Sequence, residues 1–228
     1  MKEIFDSQYL NKKAEPLVTR ETAFKNYEPI SGDSDLIEHS YEDNGGIIEF
    51  EKGETKISFQ YSKEKENVGV MNRLSIQNKE SHFDTDEIFV DGKWKLLFAT
   101  DKRKEEESSL IDLDRQRIFI TEDPMTVSGL ISFLHEVGHY ADYKTNKENY
   151  LKAHNSFRKF VFDFINNPDE EDGERVLKKE RDAWAFALKT GKPFFKDLNI
   201  NPDGLNWEIH SSCLRSYSNY LRKKLDKK

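Results

Sequence analysis

Residues 130 to 143 read LISFLHEVGHYADY, and within them His135 and His139 stand four positions apart, with Glu136 directly after the first. They are two of only six histidines in the chain. An α-helix turns about 100° per residue, so positions i and i+4 share one face, a turn apart. If this stretch is helical, His135 and His139 can direct two imidazoles at one cation. Glu136, rotated off that face, can reach a water bound to the same cation. This is the H-E-x-x-H pattern: two metal ligands and a general base. Two imidazoles do not complete a site, so everything turns on a third ligand elsewhere in the chain.

Glu180 is the candidate. It lies in the middle of an apolar stripe made of Val176, Leu177, Ala183, Trp184, Ala187 and Leu188. A carboxylate on such a face is costly to bury unless a cation meets it. Ala183 and Ala187 would let this helix lie close to a neighbour, and Gly138 offers a matching gap. A cation held by His135, His139 and Glu180 leaves one position open, as in catalytic zinc sites. Zn2+ suits two imidazoles and a carboxylate, although manganese, iron and cobalt accept the same donors.

Other assignments stay open. Glu180 could form a salt bridge to a Lys or Arg at the stripe's edge, and the histidines could be hydrogen-bonded residues at the edge of a core. Asp182 points about 200° away from Glu180, and Glu174 lies further from the small residues. His154 and His210 sit on apolar stripes, where a histidine is more often a core residue than a ligand. His210, Tyr217 and Tyr220 compete for the role of stabilising a developing oxyanion. His39 and His82 stand in polar surroundings and read as surface residues.

The elements that must position these groups fall into two parts, 1–109 and 110–228. From GGIIEFEKGETKISFQYS onward, β-branched and aromatic residues alternate with charges around Gly and Asn turns, the pattern of antiparallel strands. In EIFVDGKWKLLFA, Asp91-Gly92 between two such runs predicts a tight hairpin. The charge run DKRKEEESS reads as an exposed loop, and a short helix is expected around RETAFKNY. RQRIFITEDP is one more strand, with Ile118 and Ile120 on one face and Phe119 on the other. The expectation is that it forms a sheet edge facing the cleft, where an extended peptide could add as a strand.

After it the apolar period changes. Asp123-Pro124 predicts the start of a helix over 124–143, with Val127, Leu130, Ile131, Leu134 and Gly138 inward. A second helix places Tyr150, Leu151, His154, Phe157, Val161 and Phe164 on one stripe and stops near Asn167-Pro168. The third carries Glu180 and closes at Gly191 and Pro193. A last helix turns Leu205, Ile209, Leu214, Tyr217 and Leu221 inward. The fold class is therefore α+β: an antiparallel β-rich part, then a helical half carrying the HExxH helix.

Composition narrows the function classes. Of the 228 residues, 36% are hydrophobic and 35% charged, with mean hydropathy −0.85, and 16 Phe residues help to build an economical core. A net charge of −7 argues against a nucleic-acid binder, which neutralises phosphates with Lys and Arg. The basic end LRKKLDKK reads as a solvated helix terminus. No stretch approaches the roughly 18 apolar residues of a membrane span, and no signal-peptide run opens the sequence. A single cysteine, Cys213, fits a reducing cytoplasm.

With these residues in hand, the chain resembles the gluzincin-type zinc metallopeptidases, in which a second helix supplies a glutamate to an HExxH site. The nearest echo is the minigluzincin class, including the ImmA/IrrE-like proteins, whose second helix reads approximately E-x-E-A-N-x-F-A. Here ERDAWAFA puts Glu180, Asp182, Ala183, Phe186 and Ala187 in matching places, with Trp184 where that class has Asn. The stretch between His139 and Glu180 holds an extra helix, and VSGLISFL departs from the usual lead-in. The resemblance covers about 112–190. It implies a zincin-like fold, His135, His139 and Glu180 as zinc ligands, Glu136 as base, and a protein or peptide substrate cleaved by hydrolysis. Two other classes remain: a metal-bearing regulatory or sensor module without proteolysis, and a metal-free interaction protein.

Overall fold

The computed structural model describes residues 36, 37, 39–65, 67–100, 109–161 and 168–225. The expected helix around 20–27, nearly all of the 101–109 charge run, Phe164, Asn167 and the last three residues lie outside that set.

Seven strands form one sheet: β1 (Gly46–Lys52), β2 (Thr55–Lys65), β3 (Val68–Gln77), β4 (His82–Asp84), β5 (Lys95–Ala99), β6 (Leu110–Asp112) and β7 (Arg117–Ile120). Their order is β1-β2-β3-β5-β7-β6, with β4 beside β3, and all pairings are antiparallel except β5 with β7. A single turn, α1 (Thr85–Ile88), separates β4 from β5. The helical half contains α2 (Val127–Thr145), α3 (Lys147–Val161), α4 (Glu170–Phe195), α5 (Pro202–Glu208) and α6 (Arg215–Leu225), with a π-helical stretch, Ile209–Leu214, before α6. The chain is α+β. No described helix is long and apolar enough to cross a membrane. Backbone proximity divides the chain into two compact units. Of the described residues, one holds 36–141 and 183–202, the other 142–182 and 203–225.

The first unit is built on the sheet. Gly53 takes φ +64 in the turn between β1 and β2, and Asp197 is packed so tightly over it that a Cβ would lie 2.6 Å from its carboxylate oxygen. The same carboxylate accepts bonds from Glu54 N–H and Thr55 Oγ1, at 3.1 and 2.8 Å. Ile57, Phe59, Leu74, Ile76 and Phe98 are buried on the strands, joined by Ile118 and Ile120 as their alternation in β7 requires. Phe83 of β4 meets Phe133 of α2 edge-on, with centroids 6.4 Å apart.

Two expectations fail in the sheet. Strand β7 is paired with β5 on one side and β6 on the other, so it is interior and closed to strand addition. The residues before Asp91-Gly92 form no strand, so there is no hairpin there. Asp84 caps a helical turn by accepting from Asp86 N–H, and β5 pairs with β3 and β7 instead. The turn itself has the expected conformation, with φ +59 at Gly92.

Helix α2 begins three residues later than Asp123-Pro124 suggests. Thr126 Oγ1 accepts from Gly129 N–H at 3.0 Å and acts as the N-cap. Asp123 serves the preceding turn, accepting from Met125 N–H, and it also meets the Nε2 of His39 at 2.9 Å and the hydroxyl of Tyr41. His39 is therefore a packed residue, with a side chain only 10% exposed. His82, 40% exposed beside Glu87, is a surface residue as expected. Helix α2 is also buried well beyond one stripe, because Phe133, Val137 and Tyr140 are covered as well as Leu130, Ile131 and Leu134.

Helix α4 runs through Gly191 and Pro193 to Phe195. Gly191 serves packing: a Cβ there would lie 2.4 Å from the Phe195 ring and 3.3 Å from Leu134. The helix ends in a Schellman motif, with Asn199 at φ +58, Ile200 N–H bonded to Phe195 O and Asn199 N–H to Lys196 O.

The second unit has its own core of Phe160, Val176, Leu177 and Leu221, against which Phe157, Tyr217 and Leu225 pack. The buried face of α3 is rotated from the expected stripe: Tyr150, Ala153, Ser156 and Phe160 are inward, and Val161 is exposed. Beneath it, Asp172 accepts bonds from Ser156 Oγ (2.7 Å), Lys159 Nζ (2.8 and 3.0 Å), Asp169 N–H (3.1 Å) and Arg175 Nη1 (3.1 Å). Burial pushes its pKa up, but Lys159, Ser156 and the Asp169 amide outweigh burial and hold it below the usual aspartate range. A carboxyl with a depressed folded pKa contributes stability that is complete above its unfolded pKa and lost as pH falls through the folded value. Asp172→Ala should cost about 2–3 kcal/mol in urea unfolding at neutral pH, and the difference from wild type should shrink in acid. An undiminished gap at low pH would assign the loss to packing alone.

Candidate metal centre

His135, Glu136 and His139 lie on α2, and one ligand atom from each falls within 4.8 Å of the others. The three are 7%, 5% and 4% exposed. The centre is thus more deeply covered than a helix face at a core's edge would be. His135 Nε2 faces Glu136 Oε1 at 4.0 Å, and the two imidazole rings meet edge to face, with centroids 4.6 Å apart and planes at 76°. An ionised carboxylate at this depth is costly without a positive partner. Two imidazoles and a carboxylate, clustered and buried, form a donor set that suits a divalent cation.

Helix packing delivers this arrangement. A Cβ on Gly138 would lie 2.7 Å from Ala183 O, 2.9 Å from Ala183 Cα and 3.1 Å from Phe186 Cβ. The backbones of α2 and of the 183–195 part of α4 are therefore in contact at a glycine and an alanine. Both residues were singled out in the sequence as places of close approach. The crossing sets Trp184 over His135, with centroids 4.0 Å apart and planes at 32°. In the sequence Trp184 is one more member of an apolar stripe.

The other candidates belong to the second unit. Glu180 is buried, 7% exposed, with Lys179 Nζ 3.2 Å from its carboxylate. Lys179 itself lies over the rings of Tyr150 and Phe157. Glu174 and Asp182 are exposed. His210 sits in the π-helical stretch, a feature that apolar periodicity does not reveal, and burial followed by the charge of Arg181 lowers its pKa. Cys213, in the same stretch, is pushed up to about 11 by burial and then by Glu208 and Glu180. It is a poor nucleophile at neutral pH. Tyr217 packs against Phe157, with centroids 6.1 Å apart. Tyr220 is partly exposed and donates to Phe160 O at 3.3 Å. His154 is half-buried on α3.

Comparison with models of known families, with characterised proteins and with solved structures gives no match.

Proposed function

We propose that the chain is a zinc-dependent metallopeptidase that hydrolyses peptide bonds in a protein or peptide substrate. The observation that carries this reading is the buried group of His135, Glu136 and His139 on one helix, with donor atoms within 4.8 Å of one another. His135 and His139 are two zinc ligands and Glu180 is the third. Glu180 is proposed from the resemblance of ERDAWAFA to the glutamate-bearing helix of the gluzincins, and it would exchange its Lys179 partner, 3.2 Å away, for the cation. Bound Zn2+ would supply a water of lowered pKa and polarise the scissile carbonyl. Glu136 would serve as the general base, accepting a proton at its carboxylate and delivering it to the departing amine nitrogen. His210 and Tyr217 are the candidates for a donor to the developing oxyanion. The net charge of −7 supports a substrate other than nucleic acid, and the single cysteine supports a reducing, cytoplasmic setting.

Glu180→Ala tests the ligand set. Its zinc affinity should fall by more than the ~10–100-fold that changes outside the coordination shell cost, and Glu180→Asp should recover part of it. Wild-type affinity in the alanine variant would place the third ligand elsewhere. Burial of all three α2 groups favours one second reading, a metal-bearing sensor without proteolysis. Zinc-loaded protein that cleaves no member of a broad peptide library would select it.

A further inference from the structure

His135 is held on two sides. The indole of Trp184 lies across its face, centroids 4.0 Å apart and planes tilted by 32°. The ring of His139 stands at 76° to it, 4.6 Å away. An imidazole so enclosed cannot swing about its last torsion without striking one neighbour or the other. That torsion is otherwise broad. We infer that Trp184 is a positioning residue for His135, fixing the plane in which the imidazole offers its nitrogen to a cation. The inference rests on the metal-centre reading above.

The indole suits this role by shape. It has one N–H donor and no acceptor, so it cannot orient His135 by accepting a ring N–H, as a carboxylate or backbone carbonyl does around many metal sites. It acts as a flat shelf, and the shelf is rigidly mounted. Ala183, the preceding residue, is locked against Gly138 by backbone contact, and Gly138 precedes the second histidine by one position. One helix crossing thus places the shelf and one ligand together.

A flat face predicts a specific hierarchy among substitutions. Trp184→Phe keeps an aromatic face and should leave zinc affinity within about threefold of wild type, whereas Trp184→Leu keeps apolar bulk without a plane and should weaken it ~10–100-fold, the range for groups that orient a ligand. Affinity is read by chelator competition, and the Co2+ absorption spectrum reports ligand geometry independently of activity. A second measurement needs no variant at Trp184. With Trp94→Phe and Trp207→Phe in place, the remaining indole emission should be quenched by Co2+ at the stoichiometry of binding. A leucine variant with wild-type affinity and an unchanged Co2+ spectrum would overturn the inference, as would Co2+ that binds without quenching. A wild-type protein that takes up neither metal removes the metal reading itself, whereas normal uptake with an indifferent Trp184 removes only the positioning role. If the leucine variant does not fold, the quenching experiment decides.

Discussion

Glu136→Gln should keep zinc at the wild-type stoichiometry and lose peptide hydrolysis by ~10²–10⁴-fold, the contribution of a positioned general base. The substitution removes the basic oxygen and preserves the shape of the side chain. The site's burial sharpens the expectation, because a carboxylate only 5% exposed has little bulk water at hand to replace it as a base. Zinc content and turnover of a fluorogenic peptide library, measured on the same preparation, separate the outcomes. Loss of both would make Glu136 a structural or ligating residue. Retention of turnover would assign the proton transfer to another group.

Gly138→Val should strongly destabilise the packing of α2 on α4. Even the first added carbon would stand 2.7 Å from Ala183 O and 2.9 Å from Ala183 Cα, and backbone cannot rotate aside as a side-chain tip can. Overpacking typically costs about 1–3 kcal/mol and occasionally more, and the clash here is with backbone, which puts valine at or beyond the upper end. For Gly138→Ala the overlap is offset in part by about 1 kcal/mol of helix propensity, so a net loss of about 1–2 kcal/mol is expected. Gly173 supplies the contrast on α4. A Cβ there meets only the tip of the Phe160 ring at 3.8 Å, so Gly173→Ala should be neutral or stabilising by up to about 1 kcal/mol. Urea unfolding of the three variants checks this order. An alanine at 138 tolerated as well as one at 173 would mean that the two helices have room to spare.

Much of the fold could be read from residue order because its signals are local. The hairpin of β1 and β2 follows from alternation around a glycine, and the inner face of β7 from Ile118 and Ile120. The α4 stripe follows from its 3.6-residue period. The misreadings have separate physical causes. Three-residue β6 carries too little alternation to announce itself, yet it turns β7 from an edge into an interior strand. Gly191 and Pro193 resemble a stop, but Gly191 is small to admit Phe195 and Leu134, and the true stop is Asn199 in the left-handed region. Asp123 resembles a cap, but its carboxylate is occupied by His39 and Tyr41, and Thr126 takes over.

The centre was more readable than its surroundings. His135, Glu136 and His139 come together because helical spacing alone brings them together, and the close approach at Gly138 was foreseeable from the small residues on both helices. Trp184 was not, since a stripe of apolar residues does not say which of them faces a ligand. The π-helical stretch around His210 was equally hidden, because one extra residue in a turn leaves only a slight shift in apolar spacing.

Elemental analysis of the full chain, purified without a histidine tag, bears most directly on the central claim that the buried histidine pair of α2 holds a cation beside Glu136. About one zinc per chain, removed by chelation and restored by added Zn2+, is the expected result for a three-ligand site of this kind. Protein that is folded, metal-free and indifferent to added zinc, manganese, iron or cobalt would contradict it.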